Sequence, residues 1–201
     1  MAEPKKKRVK GTLPSCPVHQ QNKVCRVRQN FSPELEESLC EVISSLLQLS
    51  YKFQALAEVF DQDSVALFRV SKFFHEQSKS EEEAAQLLLK HMANRGGFYC
   101  SKTIQKPSCE YVRDLMTALN MALDQWKIMQ VYFEELYSLS MDCLDPHSAS
   151  LIKKHFLEPT MKKVKLTGDV ITNAHRLNCT PDGRGSFGEY LIERLQEELT
   201  K

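Results

Sequence analysis

Between Leu35 and Phe60 the residues Leu35, Leu39, Val42, Leu46, Leu49, Phe53, Leu56 and Phe60 follow one another at alternating steps of four and three. An α-helix turns once every ~3.6 residues, so these side chains form one apolar stripe along about seven turns. A strand, with its period of two, cannot place them on one face. A helix this long with a single apolar face has to bury it against other long helices. Ser32 is placed to cap this helix, Pro33 suits its first position, and Glu34 lies against the positive end of the helix dipole.

The same rhythm recurs downstream. A second helix is expected from about Val65 to Asn94, stopped by Arg95-Gly96-Gly97. Its apolar residues fall at the two ends, Leu67, Val70, Phe73 and Phe74 and then Ala84, Leu87, Leu88 and Met92, with a polar stretch from His75 to Glu83 between them. A third helix is expected from Ser108 to about Ser140, with Val112, Leu115, Leu119, Ala122, Trp126, Met129, Phe133 and Leu136 in register. The fourth opens at Asp145-Pro146 and carries Ile152, Phe156, Met161, Val164, Val170, Ile171 and Ala174; Pro159 lies inside it and predicts a kink. A short fifth C-terminal helix is read from Phe187 to about Leu199. The connections after helices one and three are too short to cross a bundle, whereas the stretch between helices two and three is long enough for one lengthwise crossover. The fold class is all-α: a four-helix bundle with one long crossover and a short terminal helix.

Glycine and proline, 7 and 8 in the chain, are too few for a fold built on turns. No apolar run approaches the ~18 residues that span a bilayer, so no membrane partner is expected. Charge divides the chain. Residues 1–28 hold eight cations (Lys5, Lys6, Lys7, Arg8, Lys10, Lys23, Arg26, Arg28) against Glu3, while the whole chain nets only +1. Three segments follow: a basic arm without hydrophobic period at 1–28, the bundle at 29–178, and a loop with the terminal helix at 179–201. Pro4-Lys5-Lys6-Lys7-Arg8-Val9-Lys10 is similar to a monopartite nuclear localisation signal, whose closely spaced cations lie along an acidic groove of an import receptor. A solvated charge run, or contact with nucleic acid through the arm, is the competing reading. Cysteines at 16, 25, 40, 100, 109, 143 and 179 make an odd, irregular set, read as reduced thiols inside a cell. Cys16, His19 and Cys25 lack a fourth ligand at zinc-site spacing.

Several short strings occur in order: Val27-Arg28-Gln29-Asn30, Phe60-Asp61-Gln62-Asp63-Ser64-Val65-Ala66-Leu67, Asn94-Arg95-Gly96-Gly97, Lys106-Pro107-Ser108-Cys109, Asp145-Pro146-His147 and Glu189-Tyr190-Leu191. Together they resemble animal ferritin subunits, without a gap from Val27 to about Leu177 and again in the last helix. The resemblance implies the ferritin-like bundle and a hollow multi-subunit shell that stores ferric mineral, with iron oxidised inside heavy-type subunits. That oxidation needs carboxylates and a histidine converging on two ferrous ions. Carried onto this chain, the ligand positions are Leu46, Phe53, Glu81, Ala84, Trp126 and Thr160. Of these only Glu81 has a metal-ligating side chain. One carboxylate does not hold two irons, so the resemblance implies iron as cargo without a di-iron catalytic centre, and no enzyme activity. His75, His91, His147 and His155 supply no Glu-x-x-His pair as a replacement.

Light-type subunits of the family lack the oxidation site and nucleate mineral on acids of the second helix. The matching face here is Glu76, Lys79, Ser80 and Glu83, with Glu82 beside it. Glu81, Glu76 and Glu83 are therefore the candidate iron-binding carboxylates, against the ordinary reading of a solvated helix face. Family positions around the threefold pore, acidic where iron enters, fall on Ser150 and Lys153. Lysines grouped there would repel ferrous ions. At the fourfold axis the resemblance places Phe187, Leu191 and Leu195. The functional expectation is an intracellular ferritin-like subunit, cytoplasmic or nuclear, that binds or stores ferric iron without ferroxidase activity. It would assemble with itself or with other ferritin subunits. The alternative is an iron-independent structural or binding protein on the same fold, acting in the nucleus.

Overall fold

A computed structural model describes residues 25–109 and 111–177. The basic string Lys5, Lys6, Lys7 and Arg8, and the terminal helix with its fourfold-axis residues, lie outside the described residues. Within them every regular element is helical. The helices are α1 (Pro33–Asp61), α2 (Phe68–Asn94), α3 (Leu115–Asp142), α4 (Pro146–Ile152) and α5 (Glu158–Arg176), with a π-helical turn Lys153–Leu157 joining the last two.

Helix α1 begins as its sequence dictates: Ser32 Oγ accepts the Leu35 N–H at 3.1 Å, and Pro33 follows. All eight residues of its apolar stripe are buried. At ~1.5 Å per residue its 29 residues reach about 43 Å, the length of the bundle. Helix α2 packs along it as an antiparallel hairpin, and α3 pairs with α5.

Two helix starts differ from expectation. Ala66 has φ of 51°, a left-handed conformation that no helix continues through, so α2 starts at Phe68 and not at Val65. Helix α3 starts at Leu115, not Ser108, because Asp114 supplies the cap, its carboxylate accepting from Met116 N at 3.4 Å and Thr117 N at 2.7 Å. The residues before it complete the crossover. Phe98 N donates to Glu36 Oε1, Cys100 N to Cys40 Sγ, Lys102 N to Ser44 Oγ, and Cys109 Sγ to Lys52 O. The crossover thus climbs α1 from Glu36 to Lys52, about 24 Å at the helical rise.

The kink expected at Pro159 is realised as the π-helical turn preceding it, where Glu158 N–H reaches back to Lys153 O. Proline has no N–H to give to His155 O and its ring crowds that carbonyl, so the ladder re-registers just upstream. Below that point the buried phase differs from the expected one. Met161 is 60% exposed, and the inward positions are Thr160, Thr167, Val170, Ile171 and Ala174. The threonine hydroxyl makes this tolerable at 167, where Oγ1 donates to Lys163 O at 2.8 Å and leaves the methyl to pack.

Cys25, Cys109 and Cys143 are free thiols. Cys100 departs from the expectation of reduced cysteines, being disulfide-bonded. It lies in the crossover, outside any helix.

Three strings that carried the resemblance meet where α2 ends. Arg95 Nη1 pairs with Asp145 Oδ1 at 2.9 Å, and its Nη2 donates to the carbonyls of Gln29 and Asn30 at 3.1 and 2.9 Å. Arg28, inside the stretch read as arm, pairs with the buried Glu36 at 2.8 Å. Both guanidinium groups lie 5.5 Å from the centre of the Phe31 ring. Gly96 is the helix stop; with φ of +70° and Cys25 Sγ 2.6 Å from where a Cβ would stand, glycine is required.

Candidate functional site

Midway along α2 the polar stretch is not a solvated turn on every side. Ser78 and Glu81 face inward and are buried, whereas His75, Glu76, Lys79, Glu82 and Glu83 are exposed. Ser78 is satisfied by α1, donating to Ser50 O at 2.9 Å. Glu81, 5% exposed, needs partners for a carboxylate removed from water.

It finds them on the two other helices. Trp126 of α3 donates its indole N–H to Glu81 Oε1 at 3.0 Å. Lys163 of α5 donates to the same oxygen at 2.6 Å and to Ser80 Oγ at 3.1 Å. The ammonium also stands 5.8 Å from the centre of the Trp126 ring, within cation–π range. One oxygen of one carboxylate therefore anchors α2, α3 and α5 together.

Around this pair the remaining positions assigned by the resemblance are mostly apolar. Leu46, Phe53, Trp126 and Thr160 are buried and Ala84 is half-buried. The Phe53 ring packs 5.2 Å from Trp126 and 5.9 Å from Phe74, and Phe74 stacks on Phe60 at 5.8 Å. The aromatic rings and Leu46 continue the core and offer no carboxylate or imidazole to a cation. Of the candidate carboxylates, Glu81 is brought inside while Glu76 and Glu83 stay on the solvent face, so the three do not converge. Among the described residues no group of three or more His, Cys, Asp or Glu side chains is arranged to hold a metal ion.

Lys163 is the residue that the sequence pattern did not single out. It stands three residues after Thr160 and four before Thr167, on the inward phase of α5. The signal was present: a lysine on a core phase requires an acidic partner, and Glu81, taken as a candidate metal ligand, was an acid available to it. The two polar threonines hid that phase from an apolar count.

Ser150 and Lys153, the positions matched to the family's pore, are both exposed at the junction of α4 and the π-helical turn. Among the described residues no helix is long and apolar enough to cross a membrane.

Comparison with known proteins gives the same answer as the architecture. The family model described as a ferritin-like domain matches residues 36–177. A ferritin light chain of Oryctolagus cuniculus is 37% identical over 170 residues, covering 85% of this chain and 95% of that protein. A ferritin middle subunit of Aquarana catesbeiana is 33% identical over 171 residues, covering 85% and 96%. A ferritin light chain of Bos taurus is 36% identical over 170 residues, covering 85% and 95%. With its four-helix bundle, lengthwise crossover and this breadth of match, the chain belongs to the animal ferritin subunit family.

Proposed function

We propose that this chain is a shell-forming ferritin subunit that serves iron storage without oxidising iron itself. The observation that carries this reading is the engagement of Glu81. The one carboxylate left among the assigned ligand positions is neutralised by Lys163 at 2.6 Å and hydrogen-bonded by Trp126 at 3.0 Å. A ferrous ion entering here would have to displace a cation already in contact, and would meet Leu46, Phe53 and Trp126 where oxygen ligands are needed. Electrostatic competition and ligand chemistry act in the same direction. Storage would then rest on ferric ions reaching exposed acids such as Glu76, Glu82 and Glu83, with oxidation carried out by a partner subunit that retains the ligands.

The exposed Lys153 favours a second reading, an iron-independent binding or structural role in the nucleus, because a cation at that position works against ferrous entry. Under this reading the basic residues Lys5, Lys6, Lys7 and Arg8 would engage an import receptor.

The test is aerobic ferrous oxidation followed by absorbance, with native mass measurement of the same sample. The homomer is expected to oxidise iron no faster than buffer. Mixed shells with an oxidising subunit are expected to load iron in proportion to the sites they contain. Saturable oxidation by the homomer would defeat the proposal, and a stable monomer that excludes iron would favour the second reading.

A further inference from the structure

Where α2 ends, a second polar network uses residues that the mid-bundle site does not. Asp145 caps α4, its Oδ1 accepting from Ser148 N at 3.3 Å and from Arg95 Nη1 at 2.9 Å. Its Oδ2 accepts the Ser148 hydroxyl proton at 2.7 Å. A carboxylate can only accept, so that hydroxyl has no second proton to give. His91 Nε2, 2.8 Å from Ser148 Oγ, must therefore be the donor to it. This fixes the tautomer: the neutral His91 ring carries its lone pair on Nδ1, and a second proton can enter only there.

The network reaches the N-terminal segment through Arg95, which holds the carbonyls of Gln29 and Asn30, while Asn30 Nδ2 donates to Leu144 O at 2.8 Å. The groups whose charges act on His91 are Arg95 at the end of α2, Asp145 before α4, and His147 within α4. With both histidines neutral, Arg95 and Asp145 balance. Protonation of His91 adds a cation beside Arg95, one helical turn further along the same face.

We infer that His91 is an acid-sensitive latch, whose protonation loosens the joint holding Gln29, Asn30 and the first turn of α4 against the end of α2. Phe31, Ala149 and Ile152 are buried beneath the joint, and apolar packing is thin on its solvent side. Val27 and Leu144 are 63% and 78% exposed, and a recess of about 690 Å³, lined among others by His91, Asn94, Arg95 and His147, lets solvent into the joint. Burial, then the Arg95 charge, and lastly His147 lower the pKa of His91, with Asp145 opposing them. The charged ring is therefore disfavoured in the closed joint and favoured once the joint opens. Gln29 and Asn30, with the described residues that precede them, are the segment released.

Hydrogen exchange of the full chain at about pH 7.5 and about pH 5.5, corrected for intrinsic rates, tests this in the range where histidine titrates. Protection of the amides at Gln29 to Phe31 and Ser148 to Ile152 is expected to fall about tenfold on acidification, with Leu46 to Phe53 in α1 unchanged. His91→Gln keeps an N–H donor for Ser148 but does not titrate, and is expected to abolish most of the fall; His147→Asn is expected to remove only a minor part. Unchanged protection in the wild-type chain, or an undiminished fall in His91→Gln, overturns the latch. Nitrogen NMR of wild-type His91 serves as a check that needs no variant. A ring that protonates above the ordinary histidine range overturns the latch, and a lone pair on Nδ1 with a lowered pKa supports it.

Discussion

The ammonium of Lys163 and the carboxylate of Glu81 meet at 2.6 Å in the middle of a bundle, with the Trp126 indole donating to the same oxygen. A cation carried by the chain thus occupies the surroundings of an acid that the family resemblance assigns to metal. Lys163 is 22% exposed at its side chain and Glu81 6%, so the pair is partly desolvated and poorly screened.

Removing one partner strands the other. Lys163→Met is expected to cost about 2–4 kcal/mol in denaturant unfolding, because Glu81 keeps its charge and loses its counter-ion. Combining it with Glu81→Gln should recover most of that loss, since the amide oxygen still accepts from Trp126 and no charge remains buried. Trp126 is the only tryptophan in the chain, so its emission reports on this site alone. A double variant as unstable as Lys163→Met would show that the ion pair is not what holds these helices.

Trp126 also fills volume. Trp126→Ala is expected to destabilise the fold by about 3–5 kcal/mol, through lost contacts with Phe53 and a cavity that the neighbours cannot close. Calorimetry of Trp126→Phe beside it separates shape from hydrogen bonding. Phenylalanine restores much of the volume but leaves Glu81 one donor short.

At Asp145 burial pushes the carboxyl upward, but hydrogen bonds from the Ser148 side chain and backbone, and then the hydrogen bond and charge of Arg95, outweigh it and leave the pKa lowered. A lowered folded-state pKa stabilises above the unfolded value and is lost as pH falls through the folded one. Asp145→Asn is expected to cost about 1–2 kcal/mol at neutral pH, as for loss of a charged cap. The difference between the two proteins should vanish in strong acid, below the ordinary carboxylate range. A gap that persists unchanged in strong acid, below that range, would mean that the charge contributes nothing.

Gly96→Ala is expected to destabilise by about 1–3 kcal/mol, since φ of +70° strains an alanine and its Cβ would meet the Arg28 backbone nitrogen at 3.0 Å. Thermal unfolding measures it. Gly168→Ala serves as the control, because nothing lies within 4 Å of a Cβ there, and the helix should gain slightly.

How much of this could be read beforehand differs by element. The stripe of α1, the Ser32 cap and the Asp145-Pro146 start were legible because each rests on local chemistry that tertiary contacts do not override. The start of α3 was not: Ser108 and Asp114 are both acceptable caps, and only the distance the crossover must cover along α1 decides between them. The apolar wall of Leu46, Phe53 and Trp126 followed from the stripes. Lys163 was hidden because its neighbours on the inward face are threonines, and because a lysine is read as solvent-facing until a buried partner is known. The meeting of Arg95, Asp145 and Asn30 is a long-range fact, for which the adjacency of these strings along the chain gives no signal.

The climb of the crossover along α1 has a consequence for how the chain reaches this state. Helices α1 and α2 form one hairpin and α3 with α5 another, each from contacts close in sequence and quick to form. The two become one body only when the extended stretch from Phe98 to Cys109 has lain down beside α1, closing a long loop with few bonds to reward it on the way. The late step of folding is therefore set by a segment that is not helical, and a chain released before that step would expose the inner faces of two half-bundles to one another and to neighbouring chains.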